Sequence, residues 1–153
     1  NILLYGDTGV GKTFLSHCIA KELMDSAYSD IYFTAAGLFD ILAENTFGKR
    51  QDKDSDVFEH IYDCDLLIID DLGTELPNSF TVSQLFICLN ERILRQKSTI
   101  ISTNLALEDI KSIYSERTFS RISSNYTILR ITGDDIRIQK KLLNLGGTND
   151  VTP

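Results

Sequence analysis

Ile2-Leu3-Leu4-Tyr5-Gly6-Asp7-Thr8-Gly9-Val10-Gly11-Lys12-Thr13 is the stretch that sets the fold. Its first four residues are an apolar run that stops at a glycine, the pattern of a short strand buried on both faces. After Lys12 the period changes. Leu15, Ile19 and Leu23 recur every four residues with Lys21 and Glu22 on the other side, which predicts an amphipathic helix packed through its leucine stripe. Between strand and helix, Gly6 to Thr13 fits the pattern GxxxxGK[ST]. Gly6, Gly9 and Gly11 let the backbone curl and turn its N–H groups inward. Asp7, Thr8 and Val10 complete the loop, and Phe14 follows as a further nucleotide contact. Inward amides and a helix N-terminus make an anion site. Lys12 is placed to reach β and γ phosphates, and the Thr13 hydroxyl to ligate magnesium. The predicted ligand is therefore ATP with Mg2+.

Outward from this loop, strands and helices alternate. Ile31 to Thr34 reads as a second strand, and Leu38, Ile41 and Leu42 as a short helix. Glu44 to Asp56 is polar and reads as a solvated loop, followed by a helical face at Val57, Phe58 and Ile61. Leu66 to Ile69 is apolar on both faces and belongs in mid-sheet. Val82 to Leu94 is a long helix, Ser98 to Thr103 a strand, and Leu107 to Tyr114 and Glu116 to Ile122 two helices. Tyr126 to Ile131 is a last strand and Asp135 to Leu143 a last helix, with a frayed tail from Gly146. The result is an α/β fold: a five-stranded, mainly parallel sheet with helices on both faces.

The 153 residues suffice for one full core. The expected organisation is a core over 1–145 and a flexible tail over 146–153. The chain opens with Asn1 inside an apolar run, which suggests a piece of a longer protein. No apolar run approaches the roughly 18 residues of a membrane span. Cys18, Cys64 and Cys88 lack CxxC spacing and read as buried thiols in a reducing compartment, so the cytoplasm is expected. The net charge of −7 argues against coating duplex DNA over a broad face, but leaves room for a local single-strand groove.

A phosphate loop needs a second magnesium partner at the tip of a neighbouring strand. Leu66-Leu67-Ile68-Ile69-Asp70 supplies it, with Asp70 as the metal-side carboxylate acting through water. Asp71 is the candidate for polarising the attacking water, with Glu75 as a second candidate or a plain surface acid. Asn104 ends another apolar strand, where it can orient that water or serve as a turn residue.

Gly6 to Thr13, Leu66 to Glu75 (LLIIDDLGTE), Ile101 to Leu105 (ISTNL) and Glu116 to Ile122 (ERTFSRI) together resemble AAA+ ATPases of the DnaC/DnaI helicase-loader group. The transposon ATP-binding protein IstB is similar too. The resemblance spans nearly the whole chain and implies a P-loop NTPase (AAA+/ASCE) core, here with its lid domain largely absent. It implies that Asp70 and Asp71 form the Walker B pair, although a Glu is commoner in the second place. By the same resemblance Asn104 is sensor 1, and Arg137 occupies the place of sensor 2. Arg121 resembles an arginine finger that reaches a neighbouring subunit's γ phosphate, with Arg117 one turn earlier on the same face. A guanidinium suits the charge of a transferring phosphoryl group, but an ion pair with Glu116 is the alternative for Arg121. A helical insertion at Ala35 to Asp65 corresponds to a region of the family that contacts single-stranded DNA, and Phe47, Lys49 and Arg50 are its candidate stacking and phosphate-binding residues.

The resemblance implies an ATPase that is slow alone, self-assembles through its ATP sites and loads or regulates a replicative DNA helicase. The helicase-contacting region is expected N-terminal to this core. The rivals are an IstB-like regulator of transposition and a P-loop kinase of small metabolites. The kinase would need an arginine-rich substrate lid, and none is evident.

Overall fold

Five short strands carry the apolar runs: β1 (Ile2–Tyr5), β2 (Asp30–Thr34), β3 (Leu66–Leu72), β4 (Ser98–Thr103) and β5 (Thr127–Arg130). Six helices alternate with them: α1 (Lys12–Asp25), α2 (Ala35–Phe47), α3 (Asp54–Asp63), α4 (Ser79–Leu94), α5 (Leu107–Asn125) and α6 (Ile136–Gly146). The structure, a computed structural model, describes residues 1–47 and 54–146, with side chains except at 54–57 and 142–146. The expected tail beyond Gly146 lies outside the described residues.

The strands form one sheet in the order β2-β3-β4-β1-β5, and every pairing is parallel. All five strand tips therefore emerge along one edge. Strand side chains alternate between faces. Leu3, Leu67, Ile69 and Ile101 pack into the larger cluster with α2, α3, α4 and α5, while Leu4, Leu66, Ile68 and Ile100 meet α1. Both faces of β3 are thus dry, which is why its sequence reads as an unbroken apolar run. Each fully buried Leu or Ile contributes about 1.5–3 kcal/mol.

Three local expectations need correction. The stripe of α1 that faces the sheet is Lys12, Ser16 and Ala20; Ile19 and Leu23 only flank it, and Leu15 is 38% exposed. Small side chains at Ser16 and Ala20 let the helix lie close to the strands, so size rather than hydropathy picks the buried face. Helix α2 does not stop at Leu42 but runs to Phe47, taking up Glu44, Asn45 and Thr46 from the expected loop. Ala43 and Glu44 favour helix, and the Thr46 hydroxyl bonds back to the Leu42 carbonyl at 2.8 Å. Asp54 to Asp56 are likewise helical, in α3, and 48–53 lie outside the described residues. Cys64 and Cys88 are buried as expected, but Cys18 is exposed on α1.

The two helices read on either side of Ser115 form α5, broken at Ser115 where φ is 82°. Helix α4 begins earlier than Val82, because the Asn78 side chain caps it by accepting the Phe80 and Thr81 N–H groups.

Candidate nucleotide-binding site

Between β1 and α1 the chain has to turn within six residues, and glycine makes this possible at two close approaches. Gly6 has φ 147°, and a Cβ there would lie 2.1 Å from the Ile131 carbonyl oxygen. Gly9 has φ 84°, and its Cβ would lie 2.2 Å from Cγ of Asp135. The loop is therefore walled by the segment between β5 and α6. The Ile136 N–H donates to the Gly9 carbonyl at 3.1 Å, tying α6 to the loop directly.

Lys12 is buried and folds back over the loop. Its ammonium donates to the carbonyls of Gly6 and Asp7, both at 2.7 Å. Burial pulls its pKa below the ordinary value, against the opposing charges of Asp71, Asp7 and Asp70. Val10 is buried beneath the loop, and Thr8, Gly9 and Gly11 line a cleft of about 700 Å³. Phe14, largely exposed, lines the same cleft.

Asp70 is the foot of the site. Register explains its aim: it pairs with Thr34 on β2 and follows Ile68 by two, so its side chain points to the α1 face. The Thr13 hydroxyl donates to its carboxylate, with Oγ1 at 3.0 and 3.1 Å from the two oxygens. The Ser102 hydroxyl from β4 also donates to Oδ1, and the Tyr32 hydroxyl from β2 donates to Oδ2 at 2.7 Å. Burial and Asp70 push the Tyr32 phenol up to about 12. Hydroxyl and carboxylate are hard oxygen donors, and two of them side by side fit a magnesium ion that keeps waters and takes phosphate oxygens.

Asp71 departs from the regular strand. Its φ is 56°, the β3–β4 register shifts between Ile69 and Leu72, and the Asp71 N–H donates to Ser102 Oγ at 3.1 Å. The strand thus continues to Leu72 through a twist that turns Asp71 out of the sheet and into the cleft. Asn104 lines the same cleft, as does Arg137. The cleft therefore gathers cations from both ends of the chain around one exposed acid.

Glu75 is engaged elsewhere: one oxygen accepts the Tyr114 hydroxyl and the other the Gly73 N–H at 3.0 Å. Arg117 and Arg121 are exposed and do not line the cleft. The Arg117 guanidinium stacks over Phe86 of α4, 4.5 Å from the ring centroid. Glu116, weighed as a partner for Arg121, pairs with Lys111 at 3.0 Å. Phe47 is 74% exposed and packs against Phe80, with ring centroids 5.2 Å apart, while Lys49 and Arg50 lie outside the described residues.

Several cleft or near-cleft residues went unread in the sequence, Thr74 and Ile136 of the lining among them. Tyr32 and Ser102 share the α1 face with Asp70 by strand alternation, a signal available once the register is known. His17 lies one turn beyond Thr13, and Lys140 one turn beyond Arg137 on α6, both at helical spacing from residues already singled out.

The model of the IstB-like ATP binding proteins matches residues 1–144. The chain belongs to the IstB-like ATP binding protein family. Among curated proteins, the chromosomal replication initiator protein DnaA of Paraburkholderia xenovorans (strain LB400) is 30% identical over 129 residues, 83% of this chain and 23% of its own length. The chain thus spans about a quarter of that relative. Among solved structures, the DnaC helicase loader superposes with a TM-score of 0.76 at 25% identity, covering 86% of this chain and 77% of the other. DnaI superposes with a TM-score of 0.71 at 25% identity, covering 88% and 71%. The IstB-like chain thus has the P-loop AAA+ fold that its motifs implied. No helix among the described residues is long and apolar enough to cross a membrane.

Proposed function

We propose that this chain is the ATP-hydrolysing core of a DnaC/DnaI-type helicase loader acting in DNA replication in the cytoplasm. The observation that carries the ATPase part of the reading is the contact of the Thr13 hydroxyl with Asp70 at the foot of the phosphate loop, 3.0 Å apart, and the likeness to DnaC and DnaI supports the loader part. A loop that only bound an anion would not need a buried carboxylate there.

In this reading the loop amides of Gly6 to Thr13 hold the triphosphate. Lys12 leaves the carbonyls of Gly6 and Asp7 for the β and γ phosphates, which offer it full negative charge in place of two dipoles. Thr13 and Asp70 would hold Mg2+, which when bound would supply charge neutralisation for the phosphates. Asp71 accepts a proton from the attacking water and Asn104 orients that water. Arg137 and Lys140 place positive charge on the phosphates from α6. Arg121, exposed and away from its own cleft, is free to complete the cleft of a neighbouring subunit, with Arg117 anchored on Phe86 one turn before it. Hydrolysis is then slow in the single chain and conditional on assembly. The AAA+ core lies at 1–145. Phe47, with Lys49 and Arg50 beyond it, is the candidate contact for single-stranded DNA, and the replicative helicase is the partner.

The second reading, an IstB-like ATPase that regulates transposition, is favoured by the family match over residues 1–144. ATP turnover with Mg2+ and with EDTA, each with and without single-stranded DNA, tests the ATPase reading. Turnover that requires Mg2+ and rises with single-stranded DNA supports it. Stoichiometric phosphorylation of a nucleoside overturns it in favour of a kinase. Capture of the full-length protein in its ATP state from the native host separates helicase from transposase as partner.

A further inference from the structure

We propose that Tyr32 is a positioning residue for Asp70, fixing the carboxylate in the orientation in which it meets a divalent cation held at Thr13. The proposal rests on the ATP–Mg2+ reading of the site. Asp70 is 2% exposed, and among the described residues no Lys or Arg pairs with its carboxylate; hydroxyls from α1, β2 and β4 hold it instead. A carboxylate offers about four lone-pair sites. Ser102 takes one oxygen from the β4 side and Tyr32 takes the other from the β2 side, at 2.7 Å. Thr13 spans both, and its hydroxyl can keep donating to Asp70 while its lone pairs face a metal.

Removing the Tyr32 donor leaves Oδ2 held, among the described residues, by Thr13 alone, the group that must share itself with the cation. The contact is not forced by the needs of the phenol. Tyr32 is 38% exposed, so water could satisfy its hydroxyl. The group in need is the buried carboxylate. The Tyr32 ring is itself held in place: His17, which lines the cleft, packs edge-on against it with centroids 4.8 Å apart at 70°. Register adds to the constraint. Tyr32 pairs with Ile68, two residues before Asp70, so both side chains rise from the same face of adjacent strands.

The test is Tyr32→Phe, which removes one oxygen and keeps the ring against His17. Binding of a fluorescent ATP analogue is followed as Mg2+ is titrated, and again in EDTA. Groups that orient a metal ligand typically carry a factor of 10–100 in metal affinity, so the Mg2+ midpoint should rise roughly 10-fold or more. Affinity in EDTA should stay as in the parent, a result that a merely structural role would not give, whereas the lost bond to a buried carboxylate lowers the nucleotide-free melting temperature alike in Mg2+ and in EDTA. In an Asp70→Asn background, Tyr32→Phe should change nothing further. A Mg2+ midpoint equal to the parent's, or a full effect without Asp70, overturns the proposal. A parent that binds no nucleotide under either condition fells the ATP reading and this inference together. A Mg2+-dependent parent matched by Tyr32→Phe fells this inference alone.

Discussion

Glu75 and Tyr114 bridge the loop after β3 to the break in α5. Tyr114 is fully buried and donates its hydroxyl to Glu75, whose other oxygen accepts the Gly73 N–H. Burial and the neighbouring carboxylate push the phenol far above its ordinary value. Ser115, with its φ of 82°, comes next, and the arginine-bearing half of α5 follows. Tyr114→Phe removes a bond to a charged acceptor and should cost about 1.5–3 kcal/mol of unfolding free energy in urea denaturation. A variant as stable as the parent would show that water replaces the contact freely.

Lys12→Ala should abolish turnover and weaken nucleotide binding while the fold stays intact. In the nucleotide-free chain the buried ammonium bonds two loop carbonyls, so its loss lowers the melting temperature without ligand, and that baseline is subtracted from the ligand effect. The check is the thermal shift on adding ATP and Mg2+, large in the parent and nearly lost in the variant.

Arg121→Ala should leave nucleotide affinity intact and suppress turnover only under conditions that promote assembly. Arg117 behaves differently because it is already committed to Phe86. Its alanine variant should lose about 0.5–1 kcal/mol of stability, the scale of an exposed cation–π contact. Equal loss of turnover in dilute and assembled Arg121→Ala would place that arginine outside any neighbour's site.

Arg92 is a fully buried cation on α4. It donates to the carbonyls of Ile61, Cys64 and Ser98 and to the Thr99 hydroxyl, at 2.6, 3.1, 2.5 and 3.0 Å. These acceptors come from the end of α3, the turn after it and the start of β4. A lysine cannot span them from a single nitrogen. Arg92→Lys should destabilise by about 3 kcal/mol in urea unfolding, at 1–3 kcal/mol for each orphaned acceptor.

Asp65 supplies a pH handle away from the cleft. Hydrogen bonds from the Ser29 backbone, Lys97 and the Ser29 hydroxyl hold its carboxyl at about 2. A depressed folded-state pKa stabilises above the unfolded value near 3.8 and loses that contribution as pH falls towards 2. Asp65→Asn should therefore melt lower than the parent at neutral pH, and the gap should close between about pH 4 and 2.

The strands were legible because burial on two faces leaves an unbroken apolar run, as in Leu66 to Ile69. The loop was legible because GxxxxGK[ST] follows from the chemistry of holding phosphate. What hydropathy missed was decided by geometry. Leu15 is apolar yet partly exposed, while Ser16 is polar yet fully buried, because closeness to the sheet favoured a small side chain. Tyr32 and Ser102 became part of the site only through the lateral register of β2, β3 and β4, which no single segment encodes. Glu75 was readable as an acid near Asp71, but not as the partner of Tyr114, 39 residues away.

The strand order has a consequence for synthesis. β1 lies between β4 and β5, its partners from far along the chain, so it has no sheet neighbour until β4 (Ser98–Thr103) has been made. The β2-β3-β4 ladder can pair before β5 has emerged, whereas the wall that Ile131 and Asp135 raise against the glycine turn exists only once the segment after β5 has been translated. The phosphate loop is thus made well before its wall, and a nascent chain stalled before β5 should be partly folded yet unable to grip its nucleotide.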